Sequence, residues 1–390
     1  MKIVKLKDVA IITTGKTPSK SSDIYYLGGT IPFVKPPNLI GSEEIITTEE
    51  YLTIDGAKQA NIIPKYSIMV SCIGSLGKVG IAGSDLVTNQ QINSLTFNSD
   101  LVNYKYGYYF SLTLARKLKQ IANSAVVPIV NKTTFSNLDF ILYSIEEQKK
   151  IVEILDKAEE LRKKRTESLI LLDSYLKSVF LEMFGDPIIN THHYKETTLK
   201  FLIDNIQAGW SAQGENRKIA RNEFGVLKIS AVTSGFFRPT ENKYVKDITE
   251  KKLVKPEKGD LLFSRANTRE LVAATCVVDA SYDTLFLPDK LWKITPKKDV
   301  ANEWFLHFLI SYDRFRDILR GKATGTSGSM LNISQQKFLE TICYVPPIEL
   351  QNKFAKIVSE TELLKQKMVK QSEGLEEQFH SLMQKSFSIN

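Results

Sequence analysis

The sequence predicts an α+β protein assembled twice over: two strand-rich globular domains joined by two long helices packed as an antiparallel coiled coil, a pseudo-twofold internal repeat. Three observations predict it. The first is an echo, Ile145-Glu146-Glu147-Gln148-Lys149-Lys150-Ile151-Val152 returning as Ile348-Glu349-Leu350-Gln351-Asn352-Lys353-Phe354-Ala355. The second is that each copy of this box opens a long helical pattern. The third is that each follows a stretch of short β-type runs. Copies about 200 residues apart are far beyond the roughly 20–50 residues of a solenoid unit, so the repeating object is a domain plus a helix.

The first domain spans residues 1–144. Its short apolar runs, Ile62-Ile63, Ser67-Ile68-Met69-Val70 and Lys78-Val79-Gly80-Ile81-Ala82, are broken by Gly, Pro, Asn and Ser as strands are. A helical segment falls near Tyr106 to Ile121. The domain of residues 198–344 repeats the scheme with Asp260-Leu261-Leu262-Phe263 and Thr275-Cys276-Val277-Val278, then a helical segment from Glu303 to Leu319. Asn131, Phe135 and Leu138 return as Asn332, Gln336 and Leu339. The copies share framework positions and differ in the loops between them, as expected of one scaffold carrying two binding specificities.

The first helix spans residues 145–184, and from Glu146 to Phe184 it contains neither proline nor glycine. Its seam, with alternating steps of four and three, is Ile151, Leu155, Ala158, Arg162, Arg165, Leu169, Leu172, Leu176, Val179 and Met183. The second helix, residues 345–388, repeats it as Phe354, Val358, Thr361, Lys365, Met368, Ser372, Leu375, Phe379, Leu382 and Ser386. This is coiled-coil spacing. Mutual packing covers two apolar patches around a polar waist, with each helix roughly 60 Å long at 1.5 Å per residue. Apolar helix residues off the seam, such as Leu171 and Phe180, are expected to be exposed and to dock a partner. Phe184-Gly185-Asp186-Pro187 ends the first helix by glycine and proline chemistry, and residues 185–197 read as a linker.

Composition narrows the function. With 43% hydrophobic and 25% charged residues this is an ordinary folded protein, and no apolar run approaches the ~18 residues of a membrane span. The charged start, Met1-Lys2-Ile3-Val4-Lys5, lacks a signal peptide's apolar segment, so a cytoplasmic location without membrane contact is expected. Cys72, Cys276 and Cys343 are too scattered for a metal or redox pair and read as buried thiols. His192 and His193, adjacent in the linker, have no third ligand nearby. The net charge of +8 and pI of 9.0 point to an anionic partner such as nucleic acid.

Catalytic motifs are absent. Ala10-Ile11-Ile12-Thr13-Thr14-Gly15-Lys16-Thr17 approaches a phosphate-binding loop, but alanine replaces its first glycine and Pro18 follows where a helix should begin. There is no nucleophile elbow, metal-ligand spacing or resident cofactor signature.

Nucleic-acid contact is expected from the loops after the matched strands, Ser71-Cys72-Ile73-Gly74-Ser75-Leu76-Gly77-Lys78 and Ser264-Arg265-Ala266-Asn267-Thr268-Arg269-Glu270. Gly74, Ser75 and Lys78 suit a turn whose amides approach phosphate, while Arg265, Asn267 and Arg269 suit base-edge contacts. Lys16, Lys20 and Lys35, with Arg217, Lys228 and Lys322, are further candidates, each of which, taken alone, reads more readily as a solvated charge than as a contact. The polar stretches Asn123-Ser124-Ala125 and Gly325-Thr326-Ser327-Gly328-Ser329 could follow a groove.

The paired boxes, Pro346-Pro347-Ile348-Glu349-Leu350-Gln351, Phe184-Gly185-Asp186-Pro187 and the strand-loops ending at Ser71 and Ser264 together resemble the DNA-specificity subunit of type I restriction-modification systems. The first box departs from the pattern, with Tyr143-Ser144 in place of Pro346-Pro347. The resemblance implies that each globular domain is a target-recognition domain reading half of a bipartite double-stranded DNA sequence, and that the helices set the gap. It also implies two methyltransferase subunits and motor-nuclease restriction subunits as partners, with no catalysis by this chain. A non-catalytic coiled-coil adaptor tethering two protein-binding domains is the alternative.

Overall fold

The computed structural model describes residues 1–41, 44–122, 127–246, 248, 253–325 and 330–388. The polar stretches 123–125 and 326–329 lie outside them. The chain forms two compact units, residues 1–166 with 370–390, and residues 167–369.

In the first unit, strands Ala10–Thr14, Ile92–Phe97, Ile68–Ser71, Val79–Ala82 and Glu44–Ile45 make one sheet in that order. All four residues of Ile68–Ser71 are buried, because one face meets helix Tyr104–Ile121 and the other an outer layer built on Ile31–Val34. In that layer Ile31–Val34 pairs antiparallel with Tyr51–Leu52 and parallel with Leu86–Thr88. A short ribbon, Lys2–Lys5 against Asp139–Leu142, carries the chain into the first long helix, Ile145–Phe184.

The second unit repeats this plan. Ile203–Ala208, Leu291–Pro296, Leu261–Ser264 and Thr275–Val277 form its sheet, and Phe224–Leu227 sits between Asn242–Val245 and Leu285–Phe286 with the same antiparallel and parallel pairings. Its ribbon pairs Lys195–Thr198 with Ile342–Val345, so the stretch read as a linker ends inside a strand. The second long helix is Ile348–Phe387. The helical segment expected from Glu303 to Leu319 is instead two helices, Glu303–Ser311 and Asp313–Lys322. The break is Tyr312, extended at φ −62° and ψ 123°, whose hydroxyl donates to Asp186 Oδ2 at 2.9 Å.

All twenty seam positions are buried or half-buried, and the long helices run antiparallel within each unit. In the first, Ile151, Val152, Leu155 and Ala158 share a core with Phe379, Leu382, Met383 and Phe387. In the second, Leu176, Val179, Phe180 and Phe184 share one with Phe354 and Val358. Two residues of the polar waist, Arg162 and Lys365, find partners inside their own units. Arg162 Nε donates to Glu376 Oε2 at 2.7 Å with its guanidinium 4.3 Å from the Phe379 ring, and Lys365 Nζ lies 2.6 Å from Asp173 Oδ1.

One expectation is corrected. Phe180 is 2% exposed, not free to dock, because it flanks the seam and meets Phe305 and Phe308 of the globular part as well as Phe354. Leu171 remains 66% exposed. Cys72, Cys276 and Cys343 are buried free thiols, and burial pushes the Cys72 pKa up to about 11.

Candidate nucleic-acid interface

The loop after Ile68–Ser71 leaves a fully buried strand and turns at Gly74 and Gly77, both with positive φ (72° and 80°). At Gly77 a Cβ would stand 2.4 Å from the Ala115 Cα, so the turn needs glycine to pack on the helix. Most of its amides are already committed. Gly74 N donates to Pro128 O, Gly77 N to Ser71 O, and Lys78 N to Ser71 Oγ. Phosphate contact by this loop therefore falls to the exposed Ser75 and Lys78 side chains.

The matching segment of the second unit is a two-residue strand, Ala266–Asn267, paired with Leu331–Asn332. Arg265 holds it there. Its Nε donates to Asp289 O at 2.7 Å and its Nη1 to Asn332 Oδ1 at 2.8 Å. Asn267 Oδ1 accepts from Thr268 N, and the Arg269 side chain is exposed.

The other candidates divide the same way. Lys35 is paired with Glu50. Arg217 grips Glu223 through both terminal nitrogens, at 2.7 and 2.8 Å, and lies 3.5 Å from the Tyr244 ring centre. This grip pushes the Glu223 pKa down to about 2. Lys322 Nζ donates to Thr341 Oγ1 at 2.8 Å, and burial lowers its pKa. Lys16, Lys20, Lys78, Lys228 and Arg269 have neither an ion pair nor a side-chain hydrogen bond among the described residues, and all but the half-buried Lys228 are exposed.

The phosphate-loop reading of Gly15-Lys16 ends here, since extended chain follows instead of a helix. Gly15 serves a close crossing, in which a Cβ would lie 2.2 Å from Asn89 O while Lys16 N donates to Thr88 O at 2.9 Å. Gly209 and Trp210 repeat the crossing against Leu287 O.

Sequence reasoning missed two sets of residues. Gln148 and Gln351, legible only as parts of the echo, are fully buried staples. Gln148 Nε2 donates to Leu101 O and Tyr143 O, and its Oε1 accepts from Asn103 N. Gln351 does the same with Val300 O, Pro346 O and Asn302 N. Both tie the start of a long helix to its globular domain. Also missed were Lys218, Arg221, Arg238, Lys243 and Lys246, exposed in the outer layer of the second unit without a side-chain partner among the described residues. Comparing the charge of matched segments would have found them.

Among the described residues no three His, Cys, Asp or Glu side chains are grouped to hold a metal ion, and no helix is long and apolar enough to cross a membrane. The site offers cations and hydroxyls at loop ends, a chemistry suited to a polyanion.

Comparison with known proteins agrees. Residues 1–170 match the family described as Type I restriction modification DNA specificity domain. The Type I restriction enzyme HindI specificity subunit of Haemophilus influenzae is 36% identical over 162 residues, 39% of this chain and 35% of that one. The MjaIX specificity subunit of Methanocaldococcus jannaschii is 28% identical over 222 residues, 54% of this chain and 50% of that one. The matches thus span a third to a half of these curated relatives' length. A solved type I restriction-modification S subunit from M. genitalium superposes with a TM-score of 0.58 at 14% identity, covering 100% of this chain and 96% of that one. A structure described by the assembly and conformational transition of the type I R-M system gives 0.60 at 15%, covering 99% and 97%. At such identities these two likenesses are of fold. The chain is therefore similar to type I restriction-modification specificity subunits: residues 1–170 match the DNA specificity domain family, and the whole chain has those subunits' fold.

Proposed function

We propose that this chain is the DNA-specificity subunit of a type I restriction-modification complex in the cytoplasm. Each globular domain reads one half of a bipartite duplex target, and the long helices fix the unread gap. The observation that carries the reading is one framework built twice with different loops, the economical way to recognise two unlike half-sites. Lys16, Lys20, Ser75, Lys78 and Lys228 would contact phosphates, while Arg269 and the amide nitrogen of Asn267 are the base-edge candidates left in the loops. Arg265 would act indirectly, by fixing the strand that carries Asn267.

The chain would supply specificity and assembly without catalysis, serving two methyltransferase subunits and the motor-nuclease subunits. Exposed apolar residues on the helices, Ile170, Leu171 and Tyr175 on one and Leu363, Leu364 and Val369 on the other, are candidate docking positions in the second unit.

The test is adenine-methylation mapping in cells expressing the chain with its methyltransferase, against cells lacking only the chain. A split motif that vanishes with the chain is the expected result. Active, expressed methyltransferase with no chain-dependent motif would favour the coiled-coil adaptor.

A further inference from the structure

The outer layers of the two units are matched in register. Ile31↔Leu52 and Phe33↔Val87 in the first correspond to Phe224↔Val245 and Val226↔Phe286 in the second, so residues 23–55 and 216–248 are equivalent segments of equal length. Their charges are opposite. Residues 23–55 hold Lys35 against Asp23, Glu43, Glu44, Glu49, Glu50 and Asp55, a net −5. Residues 216–248 hold seven Lys and Arg against Glu223, Glu241 and Asp247, a net +4.

The usable charge differs further. The lysine of the acidic layer is already paired with Glu50, whereas Lys218, Arg221, Arg238, Lys243 and Lys246 of the basic layer are exposed and unpartnered among the described residues. The acidic layer also exposes aliphatic side chains, Leu27 at 82% and Ile40 at 84%, where the basic layer has Ala220 and Thr233. Aliphatic groups offer no hydrogen bond to a phosphate oxygen. Carboxylates within a screening length of about 8 Å repel one.

We infer that the outer layer of the second unit is the chain's principal phosphate-binding face, and that the matching face of the first unit contacts no phosphate. The inference rests on the DNA reading above and adds to it an unequal division of labour. The second unit supplies most of the salt-dependent anchoring, and the first contributes by its loops.

The test uses the full chain with its methyltransferase subunits and a fluorescent duplex carrying the mapped target, titrated across roughly 50–200 mM salt. Replacing Lys218, Arg221, Arg238, Lys243 and Lys246 together by glutamine should make the slope of log K against log salt shallower by about 0.9 for each phosphate no longer neutralised, about 3 or more in total. Asp23→Asn with Glu49→Gln should leave it unchanged. Circular dichroism and single glutamine variants guard against misfolding. A wild-type slope in the folded five-site variant, or a steeper slope in the Asp23/Glu49 variant, overturns the inference while leaving DNA recognition intact. Absence of target-dependent binding by the wild-type complex overturns the DNA reading and, with it, this inference.

Discussion

Alanine at Gln148 or Gln351 would leave three backbone groups, most of them part-buried, without their partners, each costing about 1 kcal/mol or more. We expect Gln148→Ala to lower the stability of the first unit and Gln351→Ala that of the second, by about 3 kcal/mol each, read by hydrogen exchange resolved by segment. His307 makes a pH prediction. It is buried against Thr275 Oγ1 at 2.9 Å, and burial brings its pKa down from 6.5 to about 4. The unfolded state therefore binds the extra proton first, and stability falls as pH drops from about 6.5 to about 4, by up to roughly 3 kcal/mol. His307→Gln, which cannot charge, should lose that part of the dependence in unfolding curves at pH 7 and pH 4.5. At this scale the sequence discloses residue type but not occupation. Arg265 is legible as a cation, yet its partners Asp289 and Asn332 stand 24 and 67 residues away, and only folding shows that its donors are spent.

The long helices were the most legible elements, because a 3.5-residue seam is a local property and all its positions are at least half-buried. Their flanks were not. Phe180 follows a seam residue and owes its burial to Phe305 and Phe308, contacts no period encodes. The break at Tyr312 was equally hidden, since the hydroxyl's acceptor, Asp186, lies 126 residues earlier. The helix waist carries its own prediction. Arg162→Ala removes ion pairs to Glu376 and Glu159 and a cation–π contact with Phe379, and should lower the melting temperature through a loss on the order of 1 kcal/mol of stability. Arg162→Leu with Glu376→Leu should hold or raise it, since apolar replacement of such a pair is often neutral or stabilising. A lower melting temperature in the double variant would show that the waist stabilises the pair instead of fixing its register.

At the scale of the whole molecule, the duplication was readable from repeated boxes, whereas the partition into units was not. The first unit is discontinuous. It takes residues 370–390 from the far end of the sequence, and with them Phe379, Leu382, Met383 and Phe387, which join a core containing Tyr106, Tyr109 and Phe110. Removing residues 370–390 should strip hydrogen-exchange protection from the first unit and leave that of residues 167–369 largely in place. Equal loss in both would mean that they unfold as one. The same arrangement has a consequence on the ribosome, where chain emerges from the N-terminus onward. Residues 167–369 are complete before the last piece of the first unit has been made, so the unit that begins later in the sequence is the earlier to close its core. The first must wait with part of its aromatic interior uncovered, an interval in which a chaperone would find it.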